Sequence, residues 1–204
     1  MPPTEAGELN AQRKGEYMNI ANKLTMLRIL LIPIFLGILY SEIPYNHYIA
    51  IIVFIIAGVT DAIDGYIARS RDMITDFGKL MDPLADKLLV FAAILWFVGQ
   101  GTFPIWAALV VIVREFMVTG IRMVASAKGN VIAAGILGKV KTLATMIVLP
   151  FMFLPLARPF EDWLNWEYIS PWINWVSVII IVVTTAVSGI EYVVKNKELL
   201  DWKA

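Results

Sequence analysis

The chain has 204 residues, 59% of them hydrophobic and only 17% charged, a balance typical of membrane proteins rather than soluble domains. Its formal charge is zero, which argues against a nucleic-acid partner, and it has no cysteine, which excludes disulfides, thiolate zinc sites and cysteine nucleophiles. A bilayer-spanning helix needs about 20 apolar residues, so this length accommodates roughly six spans in one compact bundle.

Residues 1–17 are polar and aperiodic, and are expected to be a disordered extension or an expression remnant. Residues 18–204 are expected to form a single membrane domain. Its lead-in, Met18–Lys23, is expected to lie along the inner surface as a short amphipathic interfacial helix. Six apolar segments follow at Leu24–Tyr40, Tyr48–Ser70, Leu80–Gly99, Pro104–Ala127, Ala133–Leu156 and Trp172–Val194. In lipid the backbone must satisfy its own hydrogen bonds, so these segments predict an all-α integral membrane fold, a bundle of six transmembrane helices. The short alternating segments of a β-barrel do not occur. With the N-terminus inside, Lys23, Arg28, Arg69, Arg71, Lys79, Lys87, Arg114, Arg122, Lys128, Lys139, Lys141, Lys195, Lys197 and Lys203 fall on or toward the cytoplasmic side, and Arg158 falls outside. The outer connections Ser41–His47, Gln100–Phe103 and Ala157–Pro171 carry Glu42, Glu161, Asp162 and Glu167, with Trp163, Trp166, Tyr168 and Trp172 as interfacial anchors.

Charged groups within membrane helices cost several kcal/mol each, so they mark functional sites by default. The second span reads Thr60-Asp61-Ala62-Ile63-Asp64-Gly65-Tyr66-Ile67-Ala68-Arg69, and the i, i+3 spacing puts Asp61 and Asp64 on one helix face. The third opens Gly78-Lys79-Leu80-Met81-Asp82-Pro83-Leu84-Ala85-Asp86, where an i, i+4 spacing does the same for Asp82 and Asp86. The short connection between the spans makes them antiparallel neighbours, able to bring both acidic faces together at the cytoplasmic boundary. Four like charges in a semi-apolar site repel unless cations or protons neutralise them. All-oxygen carboxylate sites suit Mg²⁺ or Mn²⁺, and two such ions form the clamp used in phosphoryl-type transfer. Asp86 lies deeper along its helix than Asp82 and is the candidate base for an attacking hydroxyl. Gly65, Ala68 and Gly78 leave room for a flat ring or a diphosphate, and Arg69 supplies a fork for phosphate oxygens. Taken singly, these four also fit helix packing and a snorkelling arginine. Packing does not account for four acids on facing helices.

The pattern Asp61-x2-Asp64-Gly65-x2-Ala68-Arg69-x8-Gly78-x3-Asp82-x3-Asp86 resembles, at every fixed position, the signature of the CDP-alcohol phosphatidyltransferase family. The resemblance implies six transmembrane helices, a homodimer, and a dinuclear site facing the cytosol. It implies direct displacement of CMP from CDP-diacylglycerol, with all four aspartates binding the two divalent ions and the fourth acting as base.

The acceptor is read from the fourth and fifth spans, which are unusually basic. Arg114 and Arg122 are eight residues apart, about 80° around an ideal helix, and can line one wall. Lys139 and Lys141 open the fifth span. Such a group suits an acceptor that itself carries phosphate, such as glycerol 3-phosphate or inositol phosphate. The alternative is that Arg114 pairs with Glu115 while Arg122 and the lysines only snorkel. Arg114-Glu115-Phe116, Thr119-Gly120-Ile121-Arg122 and Gly138-Lys139-Val140-Lys141-Thr142 look like the bacterial branch of the family that uses glycerol 3-phosphate, which implies a cytoplasmic-membrane location among membrane lipids. Asn19-Ile20-Ala21-Asn22-Lys23-Leu24-Thr25-x2-Arg28 is similar to that branch's opening, departing at Ala21, where proline is usual. Asn22 and Thr25 either help hold nucleotide or phosphate, or cap the first helix. Three competing readings are another acceptor (inositol phosphate, serine or phosphatidylglycerol), a divalent-cation transporter, and an aspartate-rich prenyltransferase.

Overall fold

The computed structural model describes residues 26–27, 29–70, 76–127, 132, 135–158 and 164–197; within these ranges the side chains of 61–86 and 127 are left aside. The described residues form six helices and no strand: α1 (Ile29–Tyr40), α2 (Asn46–Ser70), α3 (Asp76–Gly99), α4 (Ile105–Ala127), α5 (Ile136–Ala157) and α6 (Trp166–Lys195). The amphipathic lead-in expected at Met18–Lys23 lies outside the described residues. The chain divides into two compact units, Met1–Leu89 and Val90–Ala204.

In the first unit, α1 and α2 pack through alternating bulk. Ala50, Phe54 and Ala57 follow helical spacing and are all buried, and the Phe54 ring meets Phe35 of α1 with centroids 6.0 Å apart. The small residues on either side of Phe54 let the helices come close around the ring, which is how helices associate where no water drives them together. The outward residues Ile49, Ile52, Ile55, Ile56 and Val59 remain exposed. Between the helices, the Ser41 hydroxyl donates to Ile38 O at 2.7 Å and Asn46 Nδ2 donates to Ser41 O at 2.8 Å. Tyr45 takes the left-handed conformation with φ 63°, and these bonds hold it there.

The second unit holds the rest of α3 and α4 to α6. Its aromatic core is Trp96 and Phe97 of α3 with Phe153 of α5; the Phe97 and Phe153 rings lie 4.4 Å apart and Phe153 is fully buried. Gly101, at φ 71°, ends α3: its N–H bonds Val98 O at 3.0 Å while Thr102 N–H reaches Phe97 O at 3.1 Å, the paired bonds of a glycine-terminated helix. Helix α6 packs against both α4 and α5, and it buries Ser177, Thr185, Ser188 and Gly189 where a close approach needs small side chains.

α6 begins six residues before the expected Trp172 because Asn165 caps it, its side chain accepting from Tyr168 N at 3.3 Å. Pro171 does not break the helix; near the N-terminus it forfeits one ladder bond. α5 likewise continues through Pro150 and Pro155 and closes at Arg158.

α5 and α6 are long and apolar enough to cross a membrane. α4 has the length, at 23 residues, but carries Arg114, Glu115 and Arg122 within it. Residues such as Leu109, Val113, Phe116, Ile147, Phe151, Ile179 and Ile190 leave about half or more of their surface uncovered. Apolar exposure on this scale fits a lipid environment and not water.

Candidate functional site

The acidic positions stand on continuous helix. Asp61 and Asp64 lie on α2 with Gly65, Ala68 and Arg69, and Asp82 and Asp86 lie on α3 with Gly78, so the i, i+3 and i, i+4 spacings translate into shared helix faces. The side chains of these eight residues lie outside the described residues, as do Asn22 and Thr25 entirely. Among the described side chains no group of three or more His, Cys, Asp or Glu is arranged to hold a metal. Carboxylate oxygens are hard donors of the kind Mg²⁺ and Mn²⁺ take.

The basic positions belong to the second unit, where three helices converge on Arg114. Glu115 Oε1 accepts from Arg114 Nη1 at 2.8 Å and from Lys141 Nζ of α5 at 2.6 Å. Arg114 Nη2 donates to Ser188 Oγ of α6 at 3.0 Å, and the Ser188 hydroxyl in turn donates to Thr185 O at 3.0 Å. The side chains of Arg114, Glu115 and Lys141 are 10%, 12% and 6% exposed. In such surroundings an unpaired charge is expensive, and breaking a buried pair by removing one partner typically costs about 3–5 kcal/mol. Gly189 makes the approach of α6 possible: a Cβ there would stand 3.0 Å from Arg114 Cγ.

Arg122 is exposed, and its guanidinium sits over the Tyr192 ring, 5.5 Å from the centroid. Tyr192 is buried with Val118 and Ile121. Lys139, two residues before Lys141 and therefore about 200° around the helix from it, is exposed. The four cations thus divide. Arg114 and Lys141 are buried and tied to one carboxylate, while Arg122 and Lys139 face outward. Pairing of Arg114 with Glu115, one of the two readings of the sequence, is present in the structure, and it recruits Lys141 as well. Ser188, Gly189 and Tyr192 do not stand out in the sequence; small and aromatic residues in a membrane helix give no sign of which helix they will face.

Residues 18–183 match the family described as CDP-alcohol phosphatidyltransferase. The chain is 41% identical over 200 residues to the CDP-diacylglycerol–glycerol-3-phosphate 3-phosphatidyltransferase of Bacillus subtilis (strain 168), a match covering 89% of this chain and 97% of the relative. It is 31% identical over 185 residues to a probable phosphatidylglycerophosphate synthase of Mycobacterium tuberculosis (strain ATCC 25618 / H37Rv), covering 89% and 83% of the two chains. An enzyme of Haemophilus influenzae with the same name as the Bacillus protein is 41% identical over 135 residues, covering 64% of this chain and 73% of its own. The aspartate spacing, the all-helical build and a match reaching from the residues before α1 into α6 agree: this chain belongs to the CDP-alcohol phosphatidyltransferase family.

Proposed function

We propose that the protein transfers the phosphatidyl group of CDP-diacylglycerol to glycerol 3-phosphate, giving phosphatidylglycerophosphate and CMP. The observation that carries this reading is the 41% identity to the Bacillus subtilis enzyme of that name along nearly its whole length. The cations on α4 and α5 support the choice of a phosphate-bearing acceptor.

In this reading Asp61, Asp64, Asp82 and Asp86 hold two divalent ions, Mg²⁺ or Mn²⁺, which when bound supply positive charge against the diphosphate of the donor. Asp86 takes the proton from the acceptor's hydroxyl. The freed oxygen attacks the lipid-linked phosphorus, a new P–O bond forms, and the bond to the CMP phosphate breaks with its electron pair leaving on CMP. Gly65, Ala68, Arg69 and Gly78 make room for and hold the nucleotide diphosphate, and Asn22 and Thr25 either help hold nucleotide or phosphate or cap the first helix. Arg114, Arg122, Lys139 and Lys141 hold the acceptor's phosphate. A phosphohistidine intermediate is not part of this reading, since the only histidine, His47, stands in the first turn of α2, at the end expected to face outward.

Around this chemistry we place a six-span bundle in a bacterial cytoplasmic membrane, with the N-terminus and active site facing the cytoplasm, residues 1–17 as an extension, and two chains forming a homodimer. Reconstituted protein given CDP-diacylglycerol, Mg²⁺ or Mn²⁺ and a panel of acceptors tests the reading. Glycerol 3-phosphate should release CMP and form the phosphorylated lipid. Turnover only with inositol phosphate, serine or phosphatidylglycerol reassigns the acceptor, and metal flux without CMP release favours a transporter.

A further inference from the structure

Glu115 is the only acid in α4, and it binds two cations through a single oxygen, Arg114 from its own helix and Lys141 from α5. Among these three buried residues one carboxylate faces two positive charges. Arg114 keeps a buried Nε–H that meets no acceptor among the described residues. Its guanidinium is nevertheless fixed on two sides, by Glu115 and by Ser188 of α6, with Gly189 clearing the space beside its Cγ.

We infer that Glu115 is a positioning residue for the acceptor: it does not touch substrate but holds Arg114 and Lys141 as a preset pair of donors for the acceptor's phosphate. Two nitrogens within hydrogen-bond reach of one carboxylate oxygen are close enough to meet neighbouring oxygens of a phosphate monoester. Holding both side chains before the substrate arrives removes rotamer entropy that binding would otherwise have to cost. The inference rests on the proposed use of a phosphate-bearing acceptor.

Glu115→Asp separates position from charge, because it keeps the carboxylate but withdraws it by one methylene. A positioning role predicts that the KM for glycerol 3-phosphate rises about tenfold, since misplacement on the ångström scale costs up to roughly a hundredfold. The kcat and the KM for CDP-diacylglycerol should stay within about twofold, the pattern of lost uniform binding at one substrate alone. A folded Glu115→Asp protein whose acceptor KM is unchanged or lowered overturns the inference. It would show that charge neutralisation suffices, or that the carboxylate competes with the phosphate. Glu115→Gln keeps the side-chain volume and one acceptor oxygen, and tests the same role in a second variant. Its acceptor KM should rise with the donor KM held, and an unmoved acceptor KM likewise overturns the inference. The acceptor itself is checked separately on the unmodified protein. Absence of CMP release with glycerol 3-phosphate defeats the functional reading, whereas normal release together with an unmoved KM in Glu115→Asp defeats only this inference.

Discussion

The chain carries two charged groups inside apolar helices, and they keep their charge in different ways. In the proposed reading the acidic group on α2 and α3, Asp61, Asp64, Asp82 and Asp86, is neutralised by divalent ions brought from outside. The group on α4, α5 and α6 has both signs, with Glu115 joined to Arg114 and Lys141 and Ser188 completing the arginine's bonds. On that reading the first depends on its ligand, whereas the second is assembled beforehand. A donor bound through metal and an acceptor bound by a preset cationic pair would therefore respond differently to mutation. Losses at the aspartates should fall on turnover, and losses at the cations on acceptor affinity.

The strongest test of that contrast is Asp86→Asn. Removing a general base lowers CMP release by about 10²–10⁴-fold, with donor binding retained. Substantial turnover would remove Asp86 from that role. Chelating the divalent metal should abolish CMP release and readdition of Mg²⁺ or Mn²⁺ should restore it; turnover indifferent to chelator would erase the distinction between the two groups. Gly189→Ala drives a methyl to 3.0 Å from Arg114 Cγ, and overpacking of this kind costs about 1–3 kcal/mol. It should appear as a lowered thermal midpoint in detergent, and an unchanged midpoint would mean that α6 yields easily at this point.

Arg122→Ala leaves the buried network intact and should raise the KM for glycerol 3-phosphate by about tenfold, equivalent to about 1.4 kcal/mol. An unchanged KM would confine acceptor recognition to the buried pair. The smallest effect belongs to Tyr192→Phe. The ring under Arg122 is kept and the hydroxyl removed has no hydrogen-bond partner among the described residues, so stability should stay within about 0.5 kcal/mol of the parent. A larger loss would reveal a partner for that hydroxyl in the working enzyme.

Helices were legible in the sequence because apolar runs of span length leave lipid-buried backbone no other arrangement. Their ends were less so. Pro171 reads as a stop, yet capping by Asn165 starts α6 before it, since one missing ladder bond near an N-terminus costs little beside the helix that follows. The single basic wall expected from Arg114, Arg122, Lys139 and Lys141 was half legible. Separations of eight and two residues already place these side chains at different angles, but burial of one member of each pair depends on neighbouring helices.

The sequence by itself determined the acidic spacing, the family it signals and the all-helical build, because each of these is set by residues near one another along the chain. The tertiary structure alone decided that Lys141 reaches Glu115 across 26 residues and that Ser188 reaches Arg114 across 74. Those pairings depend on helix packing, where small residues such as Gly189 set the distance of approach, and no local pattern records which faces will meet.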